Sequence, residues 1–358
     1  MAIPSQLSAE KRLVRGASGN PTNRFEHIHL ERDEEWNPED DHLLRTQFLV
    51  DHSKTIIAYN DSPDIGFSAS VNPYRGCEHG CIYCYARPTH EYLGFSSGLD
   101  FESKIMVKLN APDLLREELA KPKWKPQCLA ISGVTDCYQP VERKLKITRG
   151  CLEVLAECRN PVGIVTKNAL VARDIDVLQE LARHNCAMVF ISLTTLDTDL
   201  RRVMEPRTAS PRDRLDTMQK LSSAGIPVGV MTAPIIPGLN DHEIPQLLKA
   251  ASEAGARHAG HVVLRLPYQQ KDLFEDWLTR HFPDRKEKVL NRIRAIRGGK
   301  LYDAEFGKRM SGEGIFAEQI EQLFTVACHK YGFNRERTHL TTEHFRRPQG
   351  QQLELFRF

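Results

Sequence analysis

The chain has 358 residues, with 49 Lys+Arg against 47 Asp+Glu, a formal net charge of +2, 41% hydrophobic and 27% charged residues. That composition belongs to a folded globular chain and excludes wholesale disorder, a collagen-like rod and a disulfide scaffold. It has no run of about 18 consecutive apolar residues, and the opening MAIPSQLSAEKRLVRG lacks an apolar signal core, so the expectation is a cytoplasmic protein without membrane association.

Residues 1–65 are polar and punctuated, as in RGASGNPTNRFE and ERDEEWNPEDD, and hold no sustained period. They are expected to form an N-terminal arm, partly irregular. From residue 66 the pattern becomes regular. FSASVNPY, QCLAISGV (127–134), VGIVTK (162–167), AMVFISL (187–193), PVGVMTAP (227–234) and GHVVLRL (260–266) read as six strands, most of them short Val/Ile-rich runs of the kind buried in parallel sheets. Helical patterns lie between them at 112–120, 148–158, 174–184, 211–224 and 241–254. Asp174 and Asp241 are candidate N-caps, and Gly225 and Gly255 candidate C-terminal stops. Alternation of this kind predicts an α/β fold with a parallel sheet, either an open barrel or a doubly wound sheet. In both, chemistry gathers at the C-terminal ends of the strands.

Residues 271–300 read as helical and basic. The stretch DRKEKVLNRIRAIRGGK (284–300) holds seven Lys/Arg against two Asp/Glu. Val289, Leu290, Ile293 and Ile296 share one helical face, which leaves the basic residues outside, either solvated or facing nucleic acid. A further helix is expected over 314–334, before a Pro/Gln/Gly-rich tail.

Nine cysteines in a chain without an export signal favour metal or catalytic use over disulfides. Six are dispersed, and most of these sit in apolar stretches, as small buried hydrophobes do. Three crowd into eight residues, Cys77, Cys81 and Cys84, in NPYRGCEHGCIYCYARP (72–88), directly after the first strand. Three thiolates on one loop can each hold one iron of a [4Fe–4S] cluster and leave the fourth iron open to a small molecule. Gly76 and Gly80 would let the loop fold tightly. The competing use is a zinc ion completed by His79 or His90.

CEHGCIYC matches the CxxxCxΦC signature of radical S-adenosylmethionine (SAM) enzymes, with Tyr83 in the aromatic position. The chain resembles the branch of that superfamily related to spore photoproduct lyase and often described as DNA-repair-photolyase-like. The resemblance is carried further by GVTDCYQPVERKLKITR (133–149), VTKNALVARDIDVL (165–178), ISLTTLD (191–197), MEPRTASPRDRL (204–215) and GIPVGVMTAPIIPGLND (225–241), and covers about residues 66–270.

The resemblance implies a partial (β/α)6 barrel over residues 66–270, and the helical patterns beyond it point to a helical C-terminal extension over 271–358. It implies a [4Fe–4S] cluster on the three cysteines, and SAM cleaved to a 5′-deoxyadenosyl radical that abstracts hydrogen from a substrate. It also implies an electron donor such as flavodoxin or ferredoxin, and DNA as the substrate of a bacterial repair or modification enzyme. RNA, a peptide or a small molecule are the alternative substrates, and a non-enzymatic iron–sulfur protein is the alternative class.

On the same footing, Lys167 and Ser192 would meet the SAM carboxylate. Thr194 is a further hydrogen-bonding candidate, and the backbone around Ser132 and Gly133 would let SAM approach. Asp136 would take the SAM amine, or substrate, or else hold a turn. The loop ending at Asn240 would line the adenine, and Glu205 with Arg207 would form a polar network at the mouth. Tyr85 is a candidate hydrogen-atom relay and Cys137 a candidate hydrogen donor, although the lyase's own cysteine falls at a different register, where this chain has Gly133. At the far end, QLELF (352–356) is similar to the pentapeptide with which bacterial proteins grip the sliding clamp, and would dock through Gln352, Leu353, Leu355 and Phe356.

Overall fold

A computed structural model describes residues 15–25, 45–336 and 338–348. Its strands, in chain order, are β1 (Gln47–Val50), β2 (Ile57–Tyr59), β3 (Ala69–Val71), β4 (Tyr74–Arg75), β5 (Lys104–Val107), β6 (Leu129–Ile131), β7 (Val162–Thr166), β8 (Ala187–Ser192), β9 (Val228–Ile235) and β10 (His258–Val263). The helices are α1 (Leu99–Ser103), α2 (Ala111–Ala120), α3 (Glu142–Leu145), α4 (Ile147–Cys158), α5 (Ile175–Ala182), α6 (Thr198–Met204), α7 (Pro211–Ser223), α8 (Ile244–Glu253), α9 (Gln270–His281), α10 (Lys286–Ala295) and α11 (Ile315–Tyr331). None is long and apolar enough to cross a membrane among the described residues.

The main sheet runs β10-β9-β8-β7-β6-β3-β2. Six strands are parallel, and β2 pairs antiparallel on the edge. This is the expected open six-stranded β/α array. Its strands are short and apolar because both faces are covered: Leu129, Ile131, Val162, Ile164, Val189, Ile191, Val228 and Val230 are all buried, and helices pack outside them. Ser210 caps α7 by accepting from the Asp213 amide at 3.1 Å, with Pro211 at the first helical position. Gly225 and Gly255 end their helices in the left-handed region, as expected.

Several expectations need correction. Within the arm, read as partly irregular, β1 and β2 form two short strands that the sequence reading did not place. With β5 and β4, β1 forms a small second sheet under the cysteine loop. Asp174 does not cap α5 with its side chain. Its carboxylate instead takes Tyr138 (3.1 Å), Arg149 (3.1 Å) and Arg173 (2.8 Å). Asp241 precedes α8 in a short 3-10 turn and accepts from the Gly238 amide and Arg292. On α10 the apolar face is buried as read, but Arg297 just beyond it is also buried, donating to the carbonyls of Leu264 and Lys308.

The two edges of the main sheet do not pair with each other. Residues 305–312 span the seam between them. Met310 accepts from the Val263 amide at 2.8 Å beside β10, while Gly307 and Arg309 bind Asp64 in the β2–β3 connection at 2.8 and 2.5 Å. At the opposite, N-terminal ends of the strands, the C-terminal segment runs beneath the sheet. Thr341 pairs with Asn185, Arg346 with Cys158, and Arg347 with the carbonyls of Leu119, Lys121 and Trp124.

Candidate active site

The cysteine loop follows β4 at the C-terminal mouth of the parallel strands. Gly76 and Gly80 take positive φ (80° and 66°), and a Cβ at Gly80 would lie 2.7 Å from Glu102 Oε2. Both glycines are therefore required by the turn. The loop is then fixed through its backbone. The Cys77 amide donates to Phe101, the Ile82 amide to Met204, and Gln270 donates to the Ile82 carbonyl.

Arg87, fully buried, grips the Cys81 carbonyl with two nitrogens at 3.1 and 3.0 Å and pairs with buried Glu102. Glu102 in turn accepts from the amides of Gly16 (3.0 Å) and Ala17 (2.9 Å). The backbones meet so closely that a Cβ at Gly16 would fall 1.8 Å from the Gly80 carbonyl oxygen. Part of the N-terminal arm is thus built into the cysteine loop, which its polar sequence gave no sign of.

Cys77 and Cys81 are buried and Cys84 is partly exposed. Burial pushes the Cys81 and Cys84 thiols up, and neighbouring thiolates add to the push. Lys167 and Arg87 act the other way. Such a set holds thiolates only if a strongly cationic group joins it. Among the described residues no three His, Cys, Asp or Glu side chains converge on a single ion.

Both histidines already have partners. His90 Nε2 sits 3.0 Å from the Lys104 carbonyl, while His79 lies between Asn168 (3.2 Å), Asp136 (3.4 Å) and the Cys77 thiol; burial would lower its imidazole, but Asp136 and Cys77 hold it up at about 10. Among the described residues the zinc alternative finds only His79, already paired with Asp136, as a fourth ligand. Three neighbouring cysteines whose charges bear on one another suit a cluster that takes one iron per thiolate.

Asp136 lies just beyond β6 and knits the mouth together. It accepts from Thr166 Oγ1 (2.7 Å), the Lys167 amide (2.8 Å) and the Tyr138 amide (2.9 Å), and faces His79. Burial alone would raise its carboxyl, but His79 and these donors hold it down at about 2. Its acceptor positions are spent inside the protein, so it positions the ends of β6 and β7 and is not free for the SAM amine. The left-handed backbone here falls on Ser132 (φ 80°), whose hydroxyl accepts from the Cys137 amide, while Gly133 accepts from Tyr85 through its carbonyl at 2.8 Å.

Glu205 is the hub of the other side. Its carboxylate, fully buried, binds Tyr83, Thr194 (2.7 Å), Arg214 and Thr208. The expected Glu205–Arg207 network divides in two, since Arg207 pairs with Glu78 at 2.9 Å. Thr194 spends its hydroxyl on Glu205 and the Ala233 carbonyl, so it braces the mouth. Ser192 ends β8, buried, with its carbonyl held by Arg214 at 2.9 Å. Lys167 presents Nζ to the Tyr83 ring, 5.7 Å from its centroid, with no carboxylate in ion-pair range among the described residues. The loop after β9 folds on Asn240, whose amide donates to the carbonyls of Thr194 and Pro234.

Cys137 needs a correction. Its side chain is fully buried within the main core beside Tyr74 and Tyr138, and its carbonyl takes Thr148. A thiol packed there does not open on the mouth. Tyr85 does, being half exposed beneath the Arg265 guanidinium at 5.2 Å. Sequence reasoning missed Arg87, Glu102 and Arg214. Arg87 stands in the quoted YARP, where an arginine directly after the triad was the available signal.

The profile of the radical SAM superfamily matches residues 71–251, half of the chain. The chain belongs to the radical SAM superfamily. Proteins of this class are enzymes that use a [4Fe–4S] cluster and SAM, and the three cysteines fit the cluster as described. An uncharacterized protein of Mycobacterium tuberculosis (strain ATCC 25618 / H37Rv) is 38% identical over 61% of this chain and 65% of its own length. An uncharacterized protein of Methanocaldococcus jannaschii is 32% identical over 48% and 62%. This radical SAM chain thus matches less than two thirds of either relative. In fold it is similar to spore photoproduct lyase complexed with dinucleoside spore photoproduct, with a TM-score of 0.58 at 16% identity over 80% of each chain.

Proposed function

We propose that this radical SAM protein acts on nucleic acid, breaking or rearranging a carbon–carbon bond at a damaged or modified base, in a bacterial cytoplasm. The observation that carries the reading is the mouth itself: three cysteines held by a backbone-clamped loop, facing a lysine at the end of β7 that makes no close ion pair among the described residues, although it lies in the field of Glu205. Cys77, Cys81 and Cys84 would hold the cluster. Lys167, and Ser192 at the end of β8, would receive the SAM carboxylate, the lysine as a point charge. The bound pair supplies one-electron cleavage of SAM and a radical able to abstract hydrogen. The chain's own work is to orient SAM and substrate and to exclude water.

The nucleic-acid part of the reading is supported by the fold shared with a lyase solved with a dinucleoside photoproduct. Tyr85, half exposed beside Cys84, would meet substrate and act as the hydrogen-atom relay. A flavodoxin or ferredoxin would supply the electron. QLELF lies outside the described residues. Because Arg347 anchors the chain on the face opposite the cysteine loop, a clamp bound to that tail would leave the mouth free.

The test is anaerobic. The protein is reconstituted with iron and sulfide and reduced, SAM is added, and 5′-deoxyadenosine is measured with and without UV-irradiated DNA. Cluster-dependent product that rises with DNA is expected, and the Cys77→Ala, Cys81→Ala, Cys84→Ala triple variant gives none. Product indifferent to DNA moves the substrate to RNA, peptide or small molecules. No product with an intact cluster overturns the enzymatic reading.

A further inference from the structure

Four exposed aromatic rings stand around the cysteine loop: Phe25, Tyr85, Tyr92 and Tyr268, each about half exposed or more. They are interleaved with arginine. The Arg24 guanidinium lies 3.6 Å from the Tyr268 ring centroid and 5.2 Å from that of Phe25, Phe25 and Tyr92 are 5.0 Å apart, and Arg265 covers Tyr85 at 5.2 Å.

This arrangement is held in place. Arg24 is fixed by an ion pair to Glu91 at 2.5 Å, whose side chain is buried and also accepts from the Arg24 amide. Tyr268 keeps a left-handed backbone (φ 53°), unusual for a bulky residue, with its ring turned to solvent. The neighbouring Gln269 donates to the Thr22 carbonyl, which ties the segment after β10 to the N-terminal arm. Large rings kept in water by an immobilised frame have no packing role that explains their exposure.

We propose that these rings form a stacking platform for the unpaired bases of a single strand next to the reacting nucleotide. The proposal rests on the nucleic-acid reading above and names its substrate class: a single-stranded or locally opened strand rather than an intact duplex. Alternating aromatic faces and guanidinium planes offer each exposed base a π surface, and the arginines add positive charge for the backbone. Bases inside a duplex present no free face to such a surface.

The test uses the reconstituted protein and fluorescence anisotropy with a labelled oligothymidylate and a duplex of the same length. Tighter binding of the single strand is expected, weakened roughly tenfold by Tyr268→Ala or Tyr92→Ala and kept by Tyr268→Phe and Tyr92→Phe, because stacking needs the ring and not the hydroxyl. Tyr92 is the more exposed of the two, so its variant preserves folding, with cluster absorbance and Tm as checks. Unchanged affinity in both alanine variants, loss in the phenylalanine variants, or a preference for duplex overturns the platform and leaves the nucleic-acid reading standing. Wild-type protein that binds neither oligonucleotide overturns both.

Discussion

Tyr83 and Tyr85 flank the same cysteine and live in opposite environments. Tyr83 is buried, its hydroxyl donated to Glu205 within a closed polar hub of Arg214, Thr194 and Thr208. Tyr85 stands half in water, its hydroxyl on a backbone carbonyl and its ring under Arg265. One side of the cysteine loop is thus a fixed wall in which Tyr83, Thr194, Thr208 and Arg214 all bind one carboxylate, and the other is an open rim. Two residues along the chain turn a structural contact into a surface that substrate can touch.

The largest way to break this contrast is Glu205→Ala. It strands the buried Arg214 charge and should cost about 3–5 kcal/mol in denaturant unfolding. Acid should act on the same wall. Burial would raise the Glu205 carboxyl, but Arg214, Lys167, Tyr83 and Thr194 outweigh it and hold it at about 2, below its ordinary 4.5. A depressed carboxyl contributes stability that is present above its unfolded value and lost as pH falls through the folded one. The denaturation midpoint of the wild type should therefore drop from about pH 5 down to about pH 2, and that particular slope should flatten in Glu205→Gln. Tyr83→Phe removes one donor from the hub and should cost about 1–3 kcal/mol. Tyr85→Phe should change stability by less than about 0.5 kcal/mol, because its hydroxyl is at the surface. Equal losses in the two phenylalanine variants would erase the distinction between wall and rim.

Much of the fold was readable because buried parallel strands need Val and Ile, and those runs stand out between amphipathic helices. β1, β2 and β5 were not readable. They are short edge or satellite strands of three or four residues in polar surroundings, whose existence depends on the partners they pair with. The cysteine loop was legible from spacing alone, since cluster chemistry requires it. Its supports were not: Arg87, Glu102 and Gly16 are 15 to 86 residues apart, and only the folded chain brings them together. In sequence Asp136 reads equally as a ligand contact or a turn residue, and Thr194 as a ligand contact, because residue type marks a hydrogen-bonding group but not which neighbour has already taken it. Cys137 shows the same limit, because a strand end looks like a mouth in sequence although its side chain can point into the core.

The support of the cysteine loop by Gly16 and Ala17 separates the unit of inheritance from the unit of folding. Similarity to the superfamily begins at residue 71 and ends at 251, yet Glu102 takes two of its donors from residues 16 and 17, and the Ile82 carbonyl takes its donor from Gln270. A fragment trimmed to the matched boundaries would retain all three cysteines. It would also leave Glu102 with two vacated acceptor positions in a low-dielectric cavity, directly behind the turn that has to stay rigid.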